Sequence, residues 1–115
     1  MLGPMDLSNA ELFTWGRDCE GWKFLERPDL SINYERIPPA RGEIQHYHRK
    51  SREFYFILSG EGSFIIGKDK QLVRSGQGLE IPPGMLHSLW NDGVEDLLFL
   101  LISAPHTKGD RVNLG

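Results

Sequence analysis

Turn signals interrupt this chain at intervals of roughly 8–12 residues from about residue 21 onward, and that spacing leaves room only for short strands. Pro38-Pro39, Gly60-Glu61-Gly62, Gly67-Lys68-Asp69-Lys70, Ser75-Gly76-Gln77-Gly78, Pro82-Pro83-Gly84 and Asn91-Asp92-Gly93 all carry turn-forming residues. Between them lie runs rich in β-branched, aromatic and aliphatic residues. Leu30 to Tyr34 alternates apolar and polar, the period of a half-buried strand. Trp22 to Leu25, Ile44 to His48, Glu53 to Leu58, Ser63 to Ile66 and His87 to Trp90 are further strand candidates. Leu97 to Ile102 is apolar on both parities, so that strand needs cover on both faces. Residues 6–18 offer a capped turn, but the pattern is too short for a stable amphipathic helix. About ten short strands with few helix signals predict an all-β sandwich or barrel.

At 115 residues the chain has the length of one domain, and no linker, repeat or low-complexity segment divides it. Within residues 1–115 the reading separates an N-terminal segment, 1–20, from a region 42–91 that carries the chemistry, and from a polar tail, 104–115, expected to end loosely. A formal net charge of -3 gives no overall electrostatic footprint for nucleic acid. No apolar run approaches the ~18 residues of a membrane span. The first residues do not read as a signal peptide. A lone Cys19 excludes an intrachain disulfide framework and is expected to be a small buried residue. Together these features favour a cytoplasmic protein without nucleic-acid or membrane partners.

Three of the four histidines fall in two short stretches, Gly42 to Gly60 and Gly76 to Asn91. His46 and His48 are two apart, so on one strand they project from the same face. Glu53 opens the next strand after a four-residue loop, and a hairpin can bring its carboxylate beside them. His87 comes from a distant strand. Imidazole suits divalent Zn, Fe, Ni and Cu, so the concentration of these side chains makes a metal site the leading hypothesis. Arg49, Lys50 and Arg52 lie in the intervening loop, near the metal end of the barrel, and read as a solvated hairpin tip, with attraction of an anionic substrate as the functional alternative. The fourth histidine, His106, is expected to be exposed in the tail.

The spacing of these residues resembles the two motifs of the cupins. The first is His46-x-His48, four residues, Glu53, six residues, Gly60, with Gly42 slightly closer to the first histidine than is common. The second is Gly76, five residues, Pro82-x-Gly84, two residues, His87, three residues, Asn91. The resemblance is to small single-domain cupins of the mannose-6-phosphate-isomerase-like kind. It implies a jelly-roll-type β-barrel, an antiparallel double-sheet sandwich, holding one divalent ion (Fe, Mn, Ni, Co or Zn) on His46, His48, Glu53 and His87. It also implies a homodimer.

Strand parity adds Ile44, Tyr55, Ile57, Leu89 and Asn91 as candidate lining of the pocket beside the ion. The expected function is binding of a small polar or chelating molecule, with dioxygenase or isomerase chemistry at the metal. The alternative is a non-catalytic binding or sensing module. Isomerisation needs a separate base, and the sequence identifies none. The apolar outer faces of Leu97 to Ile102 and of Phe54, Phe56 and Leu58 independently favour the homodimer, unless the segment bearing Trp15 and Trp22 covers them.

Overall fold

Eleven strands build the computed structural model, which describes residues 2–114. In chain order they are β1 (Glu11–Trp15), β2 (Cys19–Arg27), β3 (Leu30–Ile37), β4 (His46–His48), β5 (Arg52–Ser59) and β6 (Glu61–Ile66). They continue with β7 (Asp69–Arg74), β8 (Gly78–Ile81), β9 (His87–Trp90), β10 (Leu97–Ala104) and β11 (Arg111–Asn113). Among the described residues there is no helix long and apolar enough to cross a membrane.

The strands form two antiparallel sheets, of order β1-β2-β3-β10-β5-β8 and β11-β4-β9-β6-β7. This is the expected all-β double-sheet barrel. Alternation along β5 puts Glu53, Tyr55 and Ile57 inside and Phe54, Phe56 and Leu58 outside. Tyr55, Ile57, Phe64, Leu89, Leu97 and Phe99 are fully buried and form the centre of the core. They fill one end of the barrel and leave the other end to the polar side chains of β3, β4 and β5.

β10 lies between β3 and β5 in the middle of the larger sheet. Leu97, Phe99 and Ser103 are buried inward, while Leu98, Leu100 and Ile102 face outward and are half-buried. That explains the run with apolar residues on both parities: only one parity can reach the core. Leu100 pairs with Tyr34 and Phe56 on its two sides, and Trp22 packs edge-on against Tyr34 at 5.7 Å between ring centroids. An apolar strip therefore runs across the outer face.

The two ends of the chain differ from the sequence expectations. The N-terminal segment is not a cover: β1 and β2 extend the larger sheet at its edge, and Trp22 belongs to the outer apolar strip itself. The tail is pinned rather than loose. β11 pairs with β4, and the Asp110 carboxylate accepts hydrogen bonds from the backbone N–H groups of Lys50 and Ser51, at 2.8 Å for Ser51. One buried carboxylate satisfying two loop donors outweighs the tail's polar composition. His106, too, departs from the expected exposure: it is half-buried and meets Glu26 at 3.2 Å.

Candidate metal centre

The four sequence-derived ligand positions come from β4, β5 and β9, and all four side chains are buried. His46 and His48 project together from β4, and His46 pairs across the sheet with His87 of β9. Glu53, at the start of β5, reaches over from the facing sheet. Its Oε1 lies 3.3 Å from Nε2 of His48 and 3.3 Å from Nε2 of His87. His46 and His87 stack with ring centroids 4.3 Å apart.

The fixed tautomers carry the chemistry. Nδ1 of His46 meets the Ile44 carbonyl at 2.8 Å, and Nδ1 of His87 meets the Met85 carbonyl at 2.9 Å. A carbonyl only accepts, so each Nδ1 carries the proton and each Nε2 presents a lone pair inward. Ser103 donates to Oε2 of Glu53 at 3.1 Å, leaving Oε1 turned to the histidines. Nε2 of His87 and Oε1 of Glu53 are buried and have no hydrogen-bond partner, so their 3.3 Å approach is an ion-pair distance only. Two donors each ~2.1 Å from one ion stand roughly 3.0–3.4 Å apart. Orphaned buried donors at that separation fit a divalent ion.

Two overlapping groups of side chains could hold such an ion: His46, His48 and Glu53, and Glu43, His46 and His87. The sequence alone does not single out Glu43. Its backbone N–H bonds to the Leu89 carbonyl at 2.8 Å, which sets the loop before β4 tightly against β9. Gly42 permits that approach, since a Cβ there would lie 2.5 Å from the Leu89 carbonyl oxygen. The Glu43 carboxylate in turn accepts from the Leu89 N–H at 3.0 Å and from the Tyr55 hydroxyl at 3.0 Å.

A cavity of about 250 Å³ opens beside these side chains. His46, His48 and Glu53 form one wall, and Glu35, Glu43 and Tyr55 line the rest with Trp15, Arg111 and others. Of the five expected lining positions, only Tyr55 lies on this cavity. Ile44 is half exposed and borders a separate surface groove, because β4 begins at His46 and parity does not extend back to residue 44. Ile57 and Leu89 belong to the packed core. Asn91 is a buried turn residue whose amide bonds to the Ile37 and Glu95 carbonyls. Arg49 and Lys50 are exposed, as expected of a solvated loop, whereas Arg52, also exposed, is the first residue of β5 and pairs with Glu80.

Glu35, on the inner face of β3, also escapes sequence reasoning. Its strand reads as simple alternation, and only the fold reveals that the cavity lies over that position. Its one side-chain partner is the Asn33 amide at 3.4 Å. Burial, reinforced by the negative charge of Glu43, pushes the Glu35 carboxyl up to about 8. Burial likewise pushes Glu43 up to about 7, against the pull of His87. At Glu53 burial acts in the same upward direction, but the contacts with His48 and His87 outweigh it and hold the carboxyl down to about 2. Burial lowers His46 to about 4, whereas Glu53 and Glu43 overcome burial at His87 and raise it.

These proton affinities set an expected acid limit for metal retention. A ligating histidine must be neutral. His87, whose proton affinity is raised, competes with the ion first as pH falls, while His46 stays neutral to about 4. Metal content after dialysis at stepped pH is expected to drop through roughly pH 6 to 5, given a free histidine near 6.5. Full retention at pH 4.5 would contradict this.

Comparison with known proteins agrees with the architecture. The cupin-domain family model matches residues 33–103, and the chain belongs to that family. An uncharacterised protein of Methanocaldococcus jannaschii is 33% identical over 69 residues, covering 60% of this chain and 55% of its own length. An oxalate-binding protein of Thermotoga maritima is 33% identical over 67 residues, 58% of this chain and 55% of that protein. The chain thus spans about half the length of these two relatives. Among solved structures, the polyketide cyclase RemF of Streptomyces resistomycificus superposes with a TM-score of 0.86 at 13% identity, over 100% of this chain and 87% of that one. At that identity the likeness concerns the fold.

Proposed function

We propose that this cupin binds one divalent metal ion on His46, His48, Glu53 and His87 and acts on a small polar molecule held in the barrel cavity. The observation that carries it is the pair of buried, unpartnered ligand atoms, Nε2 of His87 and Oε1 of Glu53, aimed at one point. Bound there, the ion would act as a Lewis acid on a substrate oxygen. Ser103 holds Glu53 in register, and the carbonyls of Ile44 and Met85 hold two imidazoles in the ligating tautomer.

Isomerase-type chemistry is favoured over oxygenase-type chemistry by Glu35. A buried carboxyl on the cavity wall with a single long contact, poised near neutral pH, suits proton removal and return at one substrate carbon. It is the base that the sequence alone does not identify. Metal analysis of untagged protein, isolated without added metal, tests the reading. Stoichiometric iron, nickel, manganese or cobalt is expected, leaving coordination positions free for substrate. Zinc held by all four side chains would fill a tetrahedral site and defeat catalysis. Absence of any ion would defeat the metal site.

A non-catalytic binding protein is the second reading, supported by the oxalate-binding relative from Thermotoga maritima. It predicts a stable complex with a small ligand and no turnover.

A homodimer completes the proposal. The outer strip of Trp22, Tyr34, Phe56, Leu98 and Leu100, with Phe54 40% exposed, is too continuous to be ordinary surface. Sedimentation equilibrium at micromolar concentration is expected to give twice the 13.1 kDa monomer mass. A monomer under those conditions would overturn this part.

A further inference from the structure

We propose that the C-terminal strap, residues 104–114, tunes the metal centre, with Asp110 as a positioning residue that sets His48 through the backbone of the loop after β4. This role rests on the metal reading above, because its effect is read at the ion. The cupin-domain match ends at residue 103, so the strap lies outside the part of the chain that the match describes.

The four ligand positions are not held alike. Glu53 sits in the larger sheet between Ser103 of β10 and Ile81 of β8, and the Ser103 hydroxyl fixes its carboxylate. His46 pairs with His87 across the smaller sheet, and a backbone carbonyl fixes the Nδ1 of each. His48 has neither support. Its Nδ1 is buried without a hydrogen-bond partner. The register of β4 with β9 includes His46 and stops short of His48. On that side the Gly84 N–H reaches the His48 carbonyl at 2.7 Å.

The strap supplies the rest. β11 pairs with all of β4, and Arg111 stands opposite His48. The next three residues, Arg49, Lys50 and Ser51, all give their backbone N–H groups to Asp110. Its carbonyl accepts from Arg49 at 3.2 Å, and its carboxylate accepts from Lys50 at 3.0 Å and from Ser51 at 2.8 Å. The Ser51 hydroxyl donates to the Pro105 carbonyl at 2.7 Å. Three consecutive N–H groups converging on one residue fix the backbone immediately after His48. An imidazole without an orienting hydrogen bond takes its direction from its backbone. A shift of this loop therefore moves Nε2 of His48 relative to Oε1 of Glu53, 3.3 Å away.

Nickel affinity of the full chain, measured by competition against a chromophoric chelator, tests this in a double-mutant cycle of Asp110→Ala with His48→Ala. Asp110→Ala is expected to weaken nickel binding about 10–100-fold, the range for residues that support a ligand. Asp110→Asn keeps one acceptor oxygen and is expected to lose less; it carries the same cycle if Asp110→Ala fails to fold. In the His48→Ala background either change is expected to cost no more than about twofold, because the effect passes through His48. A general loosening of the fold would cost the same in both backgrounds. Val73→Ala, a truncation of a buried β7 side chain, is the stability control. It is expected to lower Tm without moving nickel affinity. Wild-type affinity in both Asp110 variants, an equal loss in both backgrounds, or a Val73→Ala loss matching that of Asp110→Ala would overturn the role. A wild-type protein that takes up no nickel defeats the metal reading and this role together. A nickel-binding wild type with additive losses defeats this role alone.

Discussion

His48→Ala is expected to lower metal affinity by more than about a hundredfold, read by competition against a chromophoric chelator. Loss of a group that only supports a ligand typically costs 10–100-fold. Removing a ligand should exceed that range. Ser103→Ala, which frees Oε2 of Glu53 from its 3.1 Å hydrogen bond, should fall within it. The two overlapping side-chain groups make the comparison decisive. An ion on His46, His48, Glu53 and His87 requires His48 and is little affected by Glu43→Gln. An ion on Glu43, His46 and His87 gives the reverse order. Wild-type affinity in His48→Ala together with a large loss in Glu43→Gln would move the site to the second group. We expect the first order because Oε1 of Glu53 lies equally close to His48 and His87, and because Glu43 already serves Leu89 and Tyr55.

The contrast between what could and could not be foreseen follows from range. Spacing along a strand and across a hairpin is local, so His46, His48 and Glu53 are legible from parity and a short loop. His87 is legible only through the motif it belongs to, since nothing local says that β9 pairs with β4. The turns are legible because glycine and proline act within a few residues of themselves. The pocket wall is not. Tyr55 is found because it shares β5 with Glu53. Ile57 and Leu89 have the same parity as the ligands but lie deeper, where the sheets close on a packed core. Parity gives the face and not the depth. Glu35 and Glu43 depend on how β3 and the residue 40–44 loop lie over the barrel mouth, which is a property of the closed fold. Asp110 is a similar case: only β11 pairing with β4 brings it to the loop that joins the ligands. A buried Glu within an alternating strand is the one available signal for Glu35, since an inward polar residue on a core strand demands a reason.

That reason gives the second large effect expected, on stability. Glu35→Gln is expected to stabilise the metal-free protein at alkaline pH and to do little at pH 5. The carboxyl is raised to about 8 in the folded chain, first by burial and then by the charge of Glu43, from an ordinary value of 4.5. Between those values the folded state holds a proton that the unfolded state has released. Stability therefore falls as pH rises from about 4.5 to about 8, and the penalty is complete above that. At pH 5 the wild-type carboxyl is protonated and neutral like the amide, so the two proteins should melt alike. At pH 8.5 the wild type must bury an anion facing Glu43 and Glu53, with Arg111 as the only opposing cation on the cavity wall. Each tenfold rise in the carboxylate's proton affinity on folding corresponds to ~1.4 kcal/mol, so the amide should gain a few kcal/mol there. In a domain of this size that is a rise in Tm on the order of 10 °C. The comparison belongs in chelator, because a nearby ion favours the charged carboxyl and would mask the effect. Calorimetric melts of both proteins at pH 5 and pH 8.5 decide it. A difference in Tm that is the same at both pH values would mean that Glu35 does not carry its charge into the cavity. A variant less stable than wild type at pH 8.5 would mean that its carboxylate is held by a partner stronger than Asn33.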